Sequence, residues 1–483
     1  MRNLWSFVVH DVGTTSANIW IGTLHAYLKK PERMVAKVCD GEGNLLQTQY
    51  VNKDQWNRPF PCLQQRFCYL LTLDDLSPFT RYRVSFYAQE NGQETEIRES
   101  EVVFDTLGSS LADYPKGLNI AMGSCFSEEH DGGSVSTAYT SLYRANIEDI
   151  SPHFNFLLGD QVYLDVGVDS LNMDSKEIQE RIAGDYAVSW HALRGVFRHG
   201  ATWFLADDHE FWNNYPFVSG PYPFIQALRL DHVREAWEGA SREAVDNIQR
   251  VENVRFINIG SDLSFCMADF RTRRTEFQLL EEREFEQILS WIAALKSPGV
   301  LVISQPLVDA HGKEDKKLPD YAQYRALIKA MQEGEHDILV LAGDLHCGRV
   351  CSFQFVEAGR NNTQRMLHEV VASPLSNLCG PISFATRTTC DSDRPRTFPP
   401  TPVAGVSQGQ LQYPNEWCVS TEFSVSDIRY LKERTKEHFK TLNFQKRDGG
   451  IEVKVRAWCV RHIDEKTGLA REDFNEPITL FLR

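Results

Sequence analysis

FNFLLGDQVY, residues 154–163, is the stretch whose reading decides the fold. Its first five residues form a short, mostly apolar run that stops at Gly159, the pattern of a strand covered on both faces. The run delivers Asp160, and Tyr163 three residues later, to its own carboxyl end. The same construction recurs along the chain. Residues 118–122 lead into Gly123-Ser124-Cys125, and residues 202–205 lead into Asp207-Asp208-His209-Glu210. Residues 338–341 lead into Gly343-Asp344-Leu345-His346-Cys347-Gly348. Further apolar runs stand at 263–267, 300–303 and 369–371, with amphipathic helical stretches predicted at 276–295 and 322–331. Strands alternating with helices predict an α/β body whose sheets are sandwiched by helices. In such sheets the carboxyl ends of the strands meet at one crevice, so the four clusters are expected to converge although far apart in sequence.

Around this body the pattern changes. Residues 1–110 carry short alternating segments at 16–21, 34–38, 67–71, 82–88 and 101–104, punctuated by turns such as Asp40-Gly41-Glu42-Gly43-Asn44. They predict an N-terminal antiparallel β-sandwich. The run from Leu73 to Val84 resembles the tyrosine corner of fibronectin-like sandwiches, which gives Tyr82 a structural role. Residues 111–483 are assigned to the α/β domain, with 380–413, rich in Pro, Thr, Ser and Gly, as a surface or lid loop. Residues 450–461 return to a strand.

Composition excludes several classes. The chain has 483 residues, and 51 basic against 66 acidic residues leave a net charge of −15. A general nucleic-acid surface is not expected, although a local basic pocket for a phosphate is compatible with this balance. No apolar run approaches the roughly 20 residues of a membrane span. Eleven cysteines, an odd number without repeated spacing, argue against a complete disulfide framework and for a reducing compartment. The first residues show neither a signal-peptide core nor a twin-arginine pattern, so the expected location is cytoplasmic.

Carboxylates, a thiol, a phenol and imidazoles at one crevice are metal ligands by type. Two ions about 3.5–4 Å apart need a bridging carboxylate, side ligands for each ion and room for a phosphoryl oxygen. Asp160, after the turn-permitting Gly159, is the best bridge. The phenolate of Tyr163 would favour a hard trivalent ion such as ferric iron. Asp208 can ligate the second ion, and His209 beside it can act as an acid. Asp344 and His346, two residues apart, lie on one face of an extended segment.

The ordered motifs GSC, GDxxY, DDHE and GDxH resemble the alkaline phosphatase D (PhoD-like) family of calcineurin-like metallophosphoesterases. Asp269-Phe270-Arg271, Ser304-Gln305-Pro306 and Glu369 before Ala372-Ser373-Pro374 extend the resemblance, which spans residues 117–375. It implies a four-layer αββα metallophosphatase domain after a β-sandwich. It also implies that Cys125, Asp160, Tyr163 and His346 hold ferric iron, with Asp160 bridging. Asp207 or Asp208, Asp344 and one of Asn213 or Asn214 would hold a second ion, often calcium, with manganese, zinc or magnesium as other divalent possibilities. His209 and Arg271 would contact the transferred phosphoryl group. The implied reaction is hydrolysis of a small phosphoester, diester or monoester, by a metal-bound hydroxide. The alternative is a binding or regulatory protein that keeps the fold without catalysis. Oligomeric state is not legible in the sequence.

Overall fold

The computed structural model describes residues 4–129, 131–166, 174–220, 223–312, 316–355, 365–377, 395–414, 418–420, 437–474 and 476–483. Of the loop expected at 380–413, residues 380–394 lie outside the described residues, and the remainder carries a short antiparallel pair, Thr397–Phe398 with Gly409–Gln410.

Alternation within the strands dictates the layers. Along Phe154–Leu158, residues Phe154, Phe156 and Leu158 enter one core while Leu157 enters another. Leu118–Gly123 and Ala201–Leu205 behave alike: Ile120, Met122, Trp203 and Leu205 face the first core, and Ala121 and Phe204 the second. These three strands are parallel. Leu263–Ala268, Gly299–Val302, Ile338–Ala342 and Arg365–Val371 form a second parallel set. Their Phe265, Met267, Val300, Val302, Leu339 and Leu341 join the first core. Their Cys266, Ala268, Leu301 and Val340 turn to the opposite side. The first core therefore lies between two sheets. Outside one sheet pack Ser134–Ala145, Ser175–Ala192 and Asp231–Ala244, and outside the other Glu282–Ala294 and Ala322–Glu333. Helix, sheet, sheet, helix is the four-layer arrangement that buries both faces of every parallel strand. The helix expected from residue 276 begins at Glu282, because the N–H groups of Leu279 and Leu280 donate to the Gln323 side chain instead of starting a helical turn.

Four antiparallel strands, His438–Arg447, Gly450–Ile463, Ala470–Glu472 and Ile478–Leu482, complete the first sheet beside Leu118–Gly123. Upstream, an antiparallel three-stranded sheet (Ser6–Val12, Ala17–Thr23, Phe67–Leu73) faces a five-stranded one that includes Arg33–Asp40 and Arg81–Glu90. Tyr82 is buried and accepts a hydrogen bond from the Ser77 N–H at 2.7 Å. Residues of these sheets enter the same core as the body strands. No helix among the described residues is long and apolar enough to cross a membrane. Cys347 is disulfide-bonded, whereas Cys39, Cys62, Cys68, Cys125, Cys266, Cys351 and Cys459 are free thiols.

His10 joins the N-terminal sheets to the body. It is buried, and its Nε2 donates to the Ile248 carbonyl at 2.9 Å. Burial and the nearby Arg250 guanidinium lower its pKa to about 3. The unfolded chain therefore takes up a proton between pH 6.5 and 3 that the folded chain refuses. Stability is expected to fall with pH through that window, by up to ~1.4 kcal/mol per pH unit from this residue. Urea titrations at pH 7, 6 and 5 check this: His10→Gln is expected to flatten the decline, and an unchanged slope contradicts it.

Candidate metal centre

The four strand ends meet. Sγ of Cys125, a carboxylate oxygen of Asp160 and a ring nitrogen of His346 lie within 4.8 Å of one another. So do ligand atoms of Asp160, Asp208 and His209, and carboxylate oxygens of Asp160, Asp207, Asp208 and Asp344. Asp160 belongs to all three groups.

Local backbone geometry brings these side chains inward. Cys125, Asp160, Asp344 and His346 all have left-handed φ, at 57°, 56°, 67° and 50°. Such φ values cost non-glycine residues on the order of 1–3 kcal/mol each, and persist only where the surroundings over-determine them. Gly159, with φ of 95°, permits the approach of the neighbouring strand end: a Cβ there would sit 2.5 Å from that of Asp207.

Polar side chains hold each strand end in place. Glu210, fully buried, accepts the backbone N–H groups of Asp160 at 2.9 Å, Gln161 at 2.7 Å and Asp207 at 2.8 Å. It also accepts from Gln249 Nε2 at 3.1 Å. Ser373 Oγ donates to Cys125 Sγ at 3.1 Å and accepts from the His346 N–H at 2.9 Å. His346 Nδ1 lies 2.9 Å from Asn377 Oδ1. His209 Nδ1 donates to Asp165 Oδ1 at 2.7 Å, and its ring packs on Tyr163 with centroids 4.3 Å apart. The other Asp165 oxygen accepts the Asn213 N–H at 2.9 Å, while Asp208 accepts that of Asn214 at 2.6 Å.

The electrostatics are those of crowded, buried anions. Burial pushes the Cys125 thiol well up, and Asp160 and Asp344 push it further. Burial does the same to the Tyr163 phenol, with Cys125 and Asp160 adding to it. Asp160 is raised by burial and by Asp208 and Asp207, against the opposing His209. Asp207 is raised by burial despite Arg271, and Asp344 rises to about 6 through burial and Asp208. Against its burial, Asp208 is held low by Arg271 and His209. His209 is likewise driven up against its burial by Asp165, Asp208 and Asp160, which favours an imidazolium able to donate a proton. Burial and His209 lower His346 to about 4, keeping its imidazole neutral as a metal ligand requires. Tyr163 Oη and Asp207 Oδ2 are buried without a hydrogen-bond partner among the described residues. Cations would satisfy these atoms and offset the mutual repulsion, so the donor set fits metal ions.

All eleven expected site residues lie in this region. Cys125, Asp160, Asp207, Asp208, His209, Asp344 and His346 are brought together directly. Tyr163 reaches the group through the His209 ring. Asn213 and Asn214 contribute backbone N–H groups to Asp165 and Asp208. Arg271, expected at the phosphoryl group, is the buried counter-ion of Asp207: its Nε donates to Asp207 Oδ1 at 2.5 Å and one Nη to the Tyr215 carbonyl at 2.6 Å. Asp269 shapes the turn that aims it, accepting the N–H groups of Arg271 and Thr272. Sequence reasoning gave no role to Glu210, Asp165, Gln249 or Asn377. Only Glu210 carried a readable signal, the D-x-x-E spacing of a capping box from Asp207, and that box is present.

No family model and no curated protein matches the chain by sequence. In structure it is similar to PhoD, with a TM-score of 0.57 at 14% identity over 97% of this chain and 91% of that one. It is also similar to the purple acid phosphatase PPD1 from yellow lupin (Lupinus luteus) seeds, with a TM-score of 0.51 at 12% identity over 99% of this chain and 74% of that one. The likeness is one of fold, extending over nearly the whole chain, the four-layer body and the β-rich N-terminal part together.

Proposed function

We propose that this chain is a metal-dependent hydrolase of small phosphoesters with a dinuclear centre. The observation that carries the reading is Asp160, shared by every ligand group and positioned to serve two ions at once. Cys125, Tyr163 and His346 would hold one ion with it, a thiolate, phenolate and imidazole set suited to ferric iron. Asp208, Asp344, Asp207 and an asparagine side chain would hold the other, an oxygen-rich set suited to calcium. Bound ions would supply Lewis acidity and an acidified water. The chain's own residues do the rest. His209, fixed through Nδ1 by Asp165, presents Nε2 as the proton donor to the leaving oxygen. Arg271 holds Asp207 in place, and through it would add positive charge near the transferred phosphoryl group.

The experiment compares nitrophenol release from a bis-ester and a mono-ester of phosphate, with ferric iron and calcium supplied and a chelated sample as control. Chelator-sensitive turnover supports the hydrolase, and the ratio of the two rates assigns it as diesterase or monoesterase. No turnover by metal-loaded protein returns the chain to a binding role on the same fold. For the iron assignment, the expected result is a visible charge-transfer band in purified protein that Tyr163→Phe abolishes. A colourless, iron-free and fully active enzyme contradicts it.

A further inference from the structure

A cavity of about 440 Å³ opens between the helix Ser134–Ala145 and the short helical turn Arg194–Phe197. The two cross closely at Gly195, where a Cβ would sit 2.7 Å from that of Ser136 and where the backbone N–H donates to Ser136 Oγ at 3.0 Å. Ser136, Thr140 and Arg144 recur every four residues, so one face of the helix carries all three into the cavity wall. Arg194 and Arg198 line the opposite side. No Asp or Glu lines the cavity, in a chain whose net charge is −15.

The donors are accessible and largely unused. Arg144 is exposed and makes no hydrogen bond or ion pair to the described residues, and neither does the Thr140 hydroxyl. Arg198 donates Nε to the Arg194 carbonyl at 3.2 Å and Nη1 to the Glu99 carbonyl at 2.5 Å. Its Nη2 has no partner among the described residues and is not buried. Only Arg194 of the three has a carboxylate, that of Glu99 at 3.3 Å, while the nearby Glu101 pairs with Arg83 at 3.6 Å. Burial lowers the Arg198 pKa, Glu99 raises it, and Arg194 and Arg144 lower it further, so the three guanidinium groups repel one another. Like charges held together around an open cavity favour an anion between them, and guanidinium forks match a phosphate.

We propose that this cavity is a binding site, separate from the metal centre, for a phosphate group, free or carried on a small molecule, with Arg144 and Arg198 as its charged ligands. The Thr140 hydroxyl would donate to the same group, and Arg194 would add charge beside it. The inference does not depend on the hydrolase reading.

The test is equilibrium dialysis with radiolabelled inorganic phosphate. It uses two proteins in which the metal centre is disabled, Asp160→Asn and the chelated wild type. About one phosphate per chain is expected to remain bound to each. Adding Arg144→Gln is expected to weaken that binding at least about tenfold. The control Arg325→Gln, on the helix Ala322–Glu333 outside the other sheet, is expected to change it by less than about twofold. Absence of saturable binding, or an equal effect of the two substitutions, overturns the proposal. Arg144 has no partner to lose, so its substitution leaves the fold intact, which circular dichroism checks. Displacement of the label by methylphosphonate extends the site to phosphate carried on a carbon skeleton, and failure to displace it restricts the site to the free ion. In the metal-loaded chain, Arg144→Gln alone is expected to leave turnover of bis-nitrophenyl phosphate within about twofold. A loss of turnover matching the loss of phosphate binding would place Arg144 at the metal centre and overturn the separate site, whereas absence of turnover in the wild type overturns only the hydrolase reading.

Discussion

Asp160→Asn is expected to lower kcat/KM of the metal-loaded protein toward a nitrophenyl diester by at least about a thousandfold, or ~4 kcal/mol of transition-state stabilisation. The carboxylate belongs to all three ligand groups, so its neutral isostere weakens both ion sites together. Fold loss does not explain the effect away. Asn fits the same space, and the backbone N–H groups at the turn remain held by Glu210. Relief of the repulsion from Asp207 and Asp208 is expected to leave the metal-free variant at least as stable as the wild type. Activity that falls while urea resistance holds is thus the signature of a ligand. A variant within about tenfold of wild-type kcat/KM removes Asp160 from the centre.

The second large effect is expected from Glu210→Gln, a residue that touches no ion in this account. Its two oxygens accept three backbone N–H groups and one side-chain N–H. Burial raises its pKa to about 7 despite those donors. The amide offers one acceptor oxygen and turns its own N–H donors toward groups that can only donate. Leaving one or two buried N–H groups unpaired costs about 2–4 kcal/mol of stability. Because the freed groups belong to Asp160, Gln161 and Asp207, metal affinity is expected to fall about 10–100-fold as well, the effect typical of groups that orient ligands. Thermal unfolding with and without metal checks both parts. A variant with wild-type unfolding temperature and metal affinity contradicts the role given to Glu210.

The strand ends were legible in the sequence because both determinants are local. An apolar run of five residues followed by Gly-Asp is readable without knowing what packs on it, and each such run became a buried parallel strand. Ser6–Val12 was not read as a strand, because His10 and Asp11 break its apolar alternation. Their partners are distant in sequence: Ile248 for His10, and Trp203 and Arg255 for Asp11. Asp165 and Asn377 were invisible for the same reason, since each acts by orienting a ring that only the fold brings near. Arg271 was found by its motif, yet its pairing with Asp207 depends on two strand ends 64 residues apart meeting in space.

The central claim is that these strand ends build a two-ion centre around Asp160. The most direct measurement is elemental analysis by mass spectrometry of protein reconstituted with ferric iron and calcium and then freed of loose metal by gel filtration. The account predicts about two ions per wild-type chain and at most about one in Asp160→Asn. A wild-type chain that retains no stoichiometric metal, or an Asp160→Asn chain that retains the full complement, contradicts it.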